Sequence, residues 1–305
     1  MAAITAAMVK ELREATGAGM MDCKKALTST EGDMQKAIDY LRENGLAMAA
    51  KKAGRIASEG LVRLAFNEDG TKATAVEVNS ETDFVAKNDE FVAFVESLSD
   101  MALQSDVTSL EDFMALPYKE ADSVQTALTN LIAKIGENMS VRRFEKFATP
   151  GVKYVGYIHG GGKIGVIIGL ETEASAADVE VAGRDVAMQV ASMRPMFIDE
   201  SAIDPEYLEH EKQILIAQAL KEGKPAEIVE KMVAGRLKKE LKETCLVEQA
   251  FVKDNEVTVK EYVDSVAKQL GVSIRVAEML RYEVGEGIEK KEECFADEVA
   301  KQMGN

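Results

Sequence analysis

Two stretches of the chain, "GLVRLAFNEDGTKATAVEVNSETDFVAK" and "VKYVGYIHGGGKIGVIIGLETEASAADVEVAG", pass through one order of signals: strand, glycine-bearing turn, strand, start of a helix. Each then closes on a helix, a glycine and a further strand, in "NLIAKIGENMSVRRFEKF" and in "SVAKQLGVSIRVAEMLRYEV". The second of these helices is framed by a capping box from Thr258 to Glu261 and by Gly271 past its end. A degenerate internal duplication of this kind predicts an α+β fold. It has two subdomains with antiparallel sheets, over residues 55–150 and 151–290.

The remaining segments read as helical. Residues 1–54 predict three short helices: Thr5 caps the first, with Met8, Val9 and Leu12 on one face. The turn "TGAG" leads to a second helix through "MMDCKKAL", and Asp33 caps the third, striped by Met34, Ala37, Ile38 and Leu41. So small a unit buries little surface and reads as a recognition module, with "KKAGRIASEG" as its linker. Inside the second subdomain, residues 206–250 show almost no strand signal. Gly223 stops one helix, Pro225 opens the next, and Val229, Val233, Leu237 and Leu241 stack at i, i+4 spacing with Ile228 and Met232 alongside. This predicts an inserted antiparallel helical hairpin, and its stripe suits either a projecting hairpin or two helices laid flat on the core. Residues 103–125 lack a pattern and are expected to loop over the surface. "EKKEECFADEVAKQM" offers Phe295, Val299 and Met303 on one side of a C-terminal helical module over 291–305.

With 46% hydrophobic and 30% charged residues among 305, the chain has the composition of a soluble globular protein. It opens without a basic region leading into an apolar run, and no window approaches a membrane span, so a cytoplasmic location without membrane contact is expected. Cys23, Cys245 and Cys294 lie far apart without C-x-x-C spacing and read as reduced thiols. His159 and His210 are the only histidines, so neither a histidine-rich metal site nor a bound cofactor is expected. A net charge of −16 opposes direct nucleic-acid contact, and basic clusters such as "AAKKAGR" read as solvated helix ends. "HGGGKIG" lacks the order of a phosphate-binding loop and sits between two strands, which makes it a hairpin turn; "VGEGIEK" likewise reads as backbone geometry. No pair of acids occupies an apolar segment where desolvation would tune it for acid catalysis. No catalytic residue is nominated, and the composition points to an interaction protein.

One residue does not fit the core pattern. In "EVNSETDFVAKNDEF" a half-buried strand hands over to a helix capped by Asn88, whose Phe91, Phe94, Val95, Leu98 and Ala102 share a face. Phe84 sits on the short turn between them, with Thr82 or Asp83 placed to cap it. Two readings stand: a satellite contact against the following helix, or an aromatic wedge held out for a partner's pocket. Asp83 serves as a carboxylate for that partner or as a helix cap.

The strings "ELREATGAGMMDCKKAL", "AAKKAGR", "EVNSETDFVAKNDEF", "AKIGENMSVRR", "GKPAEIVEKMVAGRLKKE" and "YEVGEGIEK" resemble the bacterial elongation factor Ts family, in order and over nearly the whole chain. The resemblance implies a non-enzymatic guanine nucleotide exchange factor for elongation factor Tu, in its GDP-bound and nucleotide-free forms. It also implies an N-terminal module similar to ubiquitin-associated domains, a protruding hairpin, and possible pairing of two copies of the complex. By position, Thr82, Asp83, Phe84 and Val85 match the segment whose acid and aromatic enter the GTPase domain beside its magnesium site. Ile135, Gly136 and His159 match core contacts to a GTPase helix, although His159 by itself reads as a partly exposed turn residue. Met20, Met21, Lys24 and Lys52 match positions of the N-terminal module that touch the GTPase, while periodicity fits the methionines equally to a helix core. The family frequently has "CQTDF" or "CETDF" where Ser80 stands here, a change at a strand end that leaves the aromatic in place. A rival reading is a scaffold or adaptor whose helical module binds ubiquitin-like folds or peptides; a hydrolase using His159 is a third.

Overall fold

A computed structural model of the chain describes residues 4–16, 18–223 and 225–289. Gly17 of the first expected turn, and the expected terminal module with Cys294, Phe295, Val299 and Met303, lie outside the described residues. The chain divides into two compact units, one of residues 4–63, 76–145 and 283–289, the other of 64–75 and 146–282. Among the described residues no helix is long and apolar enough to cross a membrane.

The first unit begins with helices α1 (Ala6–Thr16), α2 (Met20–Ser29) and α3 (Met34–Lys52). The Thr5 hydroxyl accepts from the Met8 N–H at 3.3 Å, and the Asp33 carboxylate from the Lys36 N–H at 3.0 Å, so both expected caps are made. Val9, Leu12, Cys23, Ala26, Leu27 and Ala37 form the small shared core. Helix α3 keeps Lys51 and Lys52 in its last turn, where cations suit the helix dipole, so the connection is shorter than the expected linker. Strands β1 (Glu59–Phe66) and β2 (Ala73–Ser80) follow, then α4 (Asp83–Ala86), α5 (Asp89–Gln104), α6 (Leu110–Ala115), α7 (Val124–Ile135) and β3 (Met139–Phe147). The sheet order is β1-β2-β3. Phe91, Phe94, Val95, Leu98 and Ala102 of α5 are all buried, against Val76 and Val78 of β2, Leu128 and Ile132 of α7 and Val141 of β3. Burying each large side chain contributes roughly 1.5–3 kcal/mol, which makes this cluster the main support of the unit.

Two expectations need correction here. Residues 103–125 are not a surface loop: Ser109 caps α6 by accepting from the Asp112 N–H at 3.1 Å, and Phe113 is fully buried with its ring 4.8 Å from that of Phe144. Six helical residues are too few to set up a readable period. Nor is β2 half-buried, for every one of its residues is buried, the polar Thr74, Glu77 and Asn79 included.

Glu77 shows how that is tolerated. Its carboxylate accepts from Arg142 at 3.0 Å, Arg143 at 2.6 Å, the Asn79 amide at 3.1 Å and the Gly285 N–H at 2.8 Å. Burial alone would push this carboxyl up, but the Gly285 N–H, the Asn79 amide and Arg143 together outweigh it and hold the group below its ordinary value. Gly285 reaches Glu77 in a left-handed conformation, φ +70°, and a Cβ there would lie 2.1 Å from the Ser58 carbonyl oxygen, so no other residue fits.

The second unit repeats the plan. Strands β4 (Val152–His159) and β5 (Ile164–Thr172) form an antiparallel hairpin in register from Val152↔Glu171 to His159↔Ile164, closed by the glycine turn. Helix α8 (Ala176–Met193), the hairpin arms α9 (Pro205–Lys221) and α10 (Ala226–Thr244), strands β6 (Ala250–Phe251) and β7 (Asp254–Thr258), α11 (Val259–Leu270) and β8 (Ile274–Glu283) follow. The order β4-β5-β8 again places first, second and last strands side by side, the signature of the duplication. Helices α7 and α11 both end on a left-handed glycine, Gly136 and Gly271, that turns the chain into the last strand. Val166, Ile168 and Leu170 meet Val179, Val186 and Val190 of α8, together with Val263 and Val276. The inserted arms bury Leu215 and Ala219 against Val229 and Val233, a cluster drawn wholly from the hairpin itself.

Phe113→Ala is expected to cost about 3–5 kcal/mol, read as a lower urea midpoint. Glu77 is depressed in the folded state, so its stabilisation is present above the unfolded carboxyl value of about 4.3 and is lost as pH falls through the lower folded value. Glu77→Gln is therefore expected to lower stability by roughly 2–4 kcal/mol at pH 7 and to flatten its acid dependence, measured by denaturant titrations at pH 7 and pH 3.5.

Candidate functional site

The segment leaving β2 makes a corner of one helical turn. The Thr82 hydroxyl caps α4 by accepting from the Val85 N–H at 3.4 Å, which selects Thr82 over Asp83 as the cap. Val85 and Ala86 are buried in the core of the unit, and Asn88 caps α5 through the Glu90 and Phe91 N–H groups at 3.0 and 3.3 Å. With Val85 and Ala86 fixed inward after it, Phe84 stands outward, 80% exposed. Asp83 pairs with Lys87 at 2.7 Å across the same turn, so an aromatic ring is flanked by a solvated ion pair. The reading of Phe84 as a satellite contact of the core is thereby excluded.

The loop after α7 is bound to this corner. Glu137 accepts from the Thr82 N–H at 3.0 Å and from the Thr82 hydroxyl at 2.8 Å, while Glu81 accepts from the Asn138 N–H at 2.5 Å. Ile135 packs partly buried against the core and Gly136 takes φ +87° as the helix cap, so this pair lies one step from the residues that hold the corner. Lys52 donates to the Gly136 carbonyl, Asn138 donates to the Arg55 carbonyl at 2.7 Å, and Arg55 pairs with Glu81 at 3.5 Å. The structure thus joins Thr82, Asp83, Phe84, Val85, Ile135, Gly136 and Lys52 in one neighbourhood. Glu81 and Glu137 were missed by sequence reasoning, for nothing in their spacing marks them among 53 acids.

The other nominated residues lie elsewhere. Met20 and Met21 open α2 at 59% and 74% exposure, while Cys23, Ala26 and Leu27 face the core, so the methionines are surface residues and Lys24 is exposed beside them. His159 belongs to the second unit, at the exposed end of β4, with its Nδ1 3.0 Å from the Tyr157 hydroxyl. Among the described residues no group of three or more His, Cys, Asp or Glu side chains is placed to hold a metal ion. What the corner offers is shape and charge: a rigid ring, a carboxylate and an ammonium on one exposed turn.

Residues 81–286, from this corner to the glycine segment after β8, match the family described as Elongation factor TS. Elongation factor Ts of Clostridioides difficile (strain 630) is 58% identical over 303 residues, covering 99% of this chain and all of that protein. Elongation factor Ts of Clostridium perfringens (strain SM101 / Type A) is 54% identical over 301 residues, 99% of each chain, and that of Clostridium kluyveri is 53% identical over 302 residues, covering 98% of this chain and 99% of that one. Identity at this level, sustained from end to end, means that the chain belongs to the elongation factor Ts family, whose members are translation elongation factors.

Proposed function

We propose that this chain is a guanine nucleotide exchange factor: it binds elongation factor Tu in its GDP-bound and nucleotide-free states and speeds the release of GDP, with no covalent bond made or broken. The observation that carries the reading is Phe84, 80% exposed on a one-turn helix whose Val85 and Ala86 are buried. A large ring held out at the cost of its own burial is suited to entering a pocket of another protein. In this reading Phe84 enters the GTPase beside its magnesium site, with Asp83 meeting polar groups there. Displacing helices that hold the metal withdraws its neutralisation of the diphosphate, and shifting the phosphate loop withdraws amide hydrogen bonds. Linkage sets the scale: whatever factor favours the exchange factor's binding to the nucleotide-free GTPase must weaken GDP by the same factor.

Ile135 with Gly136, and His159, would supply further contacts to the GTPase. Met20, Met21 and Lys24 would present the N-terminal module to it. Exposure of both methionines supports that assignment. Lys52 contributes differently, since its ammonium already serves the Gly136 carbonyl and steadies the corner.

The test is release of fluorescently labelled GDP from elongation factor Tu, with and without this chain. Removing the ring in Phe84→Ala forfeits roughly 1.5–3 kcal/mol of partner burial, and stimulated release is expected to slow about 10- to 100-fold. Acceleration of release by neither form would favour an adaptor, and an unchanged rate for Phe84→Ala would remove the wedge from the mechanism.

A further inference from the structure

A capping box joins two partners within one helical turn: the N-cap hydroxyl accepts from the N–H three residues on, and a carboxylate at that third position reaches back to the N-cap N–H. Helix α4 has the first half of this arrangement, from Thr82 to the Val85 N–H. It cannot have the second, because the third position is Val85, which is 6% exposed and part of the hydrophobic core. Glu137, 55 residues away in sequence, stands in its place, taking the Thr82 N–H at 3.0 Å and the hydroxyl proton at 2.8 Å. By receiving that proton it leaves the hydroxyl's lone pairs directed at Val85.

We infer that Glu137 is a positioning residue for nucleotide exchange: it completes the capping box of α4 from a distant segment and so fixes the direction in which Phe84 is presented. A single helical turn has too few internal bonds to persist unaided. Val85 and Ala86 anchor its inner face and the Lys87 and Asn88 N–H groups close its far end on the Phe84 and Val85 carbonyls, while at its start the turn is held through Thr82 by Glu137. Glu81, accepting from the Asn138 N–H at 2.5 Å, ties the same two strands of chain in the opposite sense and keeps Glu137 in reach. The inference rests on the exchange reading and assigns Glu137 no contact with the partner. Its loss should therefore lower the rate attained at saturation rather than the concentration needed to reach it.

The full chain is assayed for labelled GDP release from elongation factor Tu across a range of concentrations. For Glu137→Ala the saturating rate is expected to fall about tenfold, on the scale of a lost charge-assisted hydrogen bond, with half-saturation changed less than about twofold. Glu137→Gln keeps an oxygen for the Thr82 N–H and should lie between Glu137→Ala and the parent. Amide hydrogen exchange at Val85, Ala86 and Lys87 should quicken in Glu137→Ala without partner present. A full saturating rate in Glu137→Ala, or a loss confined to half-saturation, overturns the positioning role. Should Glu137→Ala not fold, the intermediate rate of Glu137→Gln carries the test, and a parental rate there overturns it equally. Phe84→Ala measured alongside separates the two failures: if it too releases GDP at full rate the exchange reading falls, whereas a slow Phe84→Ala beside a fast Glu137→Ala removes only the role of Glu137.

Discussion

Within four residues the corner after β2 must bury two side chains and expose a third that is larger than either. Helical geometry reconciles the demands, because consecutive residues on one turn point about a quarter-turn or more apart. Val85 and Ala86 enter the core and Phe84 leaves it. The difficulty is that the inward residue occupies the position where a helix of this kind would place its own acid. The polar requirement of the turn is then met from the loop following α7, which ties the left-handed glycine that ends that helix to the corner.

The two halves of the chain show how a duplicated plan is put to separate ends. Both sheets set first, second and last strands side by side, and both last strands are reached through a helix and a glycine. In the first half the connection between second strand and helix became the exposed corner. In the second half the corresponding stretch, at Ser175, is an ordinary capped start to α8, with a capping box local to Ser175 and Asp178. The comparison isolates what is particular to the Phe84 corner, since the same topology exists without an outward aromatic.

Much of this was legible from residues alone because it rests on local chemistry. The caps at Thr5, Asp33, Asn88 and Thr258, the apolar face of α5, and the arms of the hairpin follow from spacing that a helix or turn imposes within a few residues. Phe84 was visible as an aromatic outside the pattern, but whether it pointed in or out depended on packing by neighbours that spacing does not locate. Glu77, Glu81 and Glu137 were invisible for a related reason. Their partners lie tens to hundreds of positions away, and an acid that meets such a partner looks like any acid on a solvated face. Phe113 was hidden by the brevity of α6, and Met20 and Met21 by a helix too short to distinguish its two faces from periodicity.

The way the helical hairpin satisfies its own apolar stripe has a consequence for how the family can vary. Among the described residues, the buried side chains of its cluster come from its two arms, and both arms fall in the interval that must be spanned before β8 can pair with β5. Closing a longer interval costs entropy only logarithmically, about 0.6 kcal/mol for each doubling. Whole turns can therefore be added to or removed from the arms, two at a time, with the sheet behind them scarcely registering the change: the hairpin is a part whose reach is adjustable independently of the body that carries it.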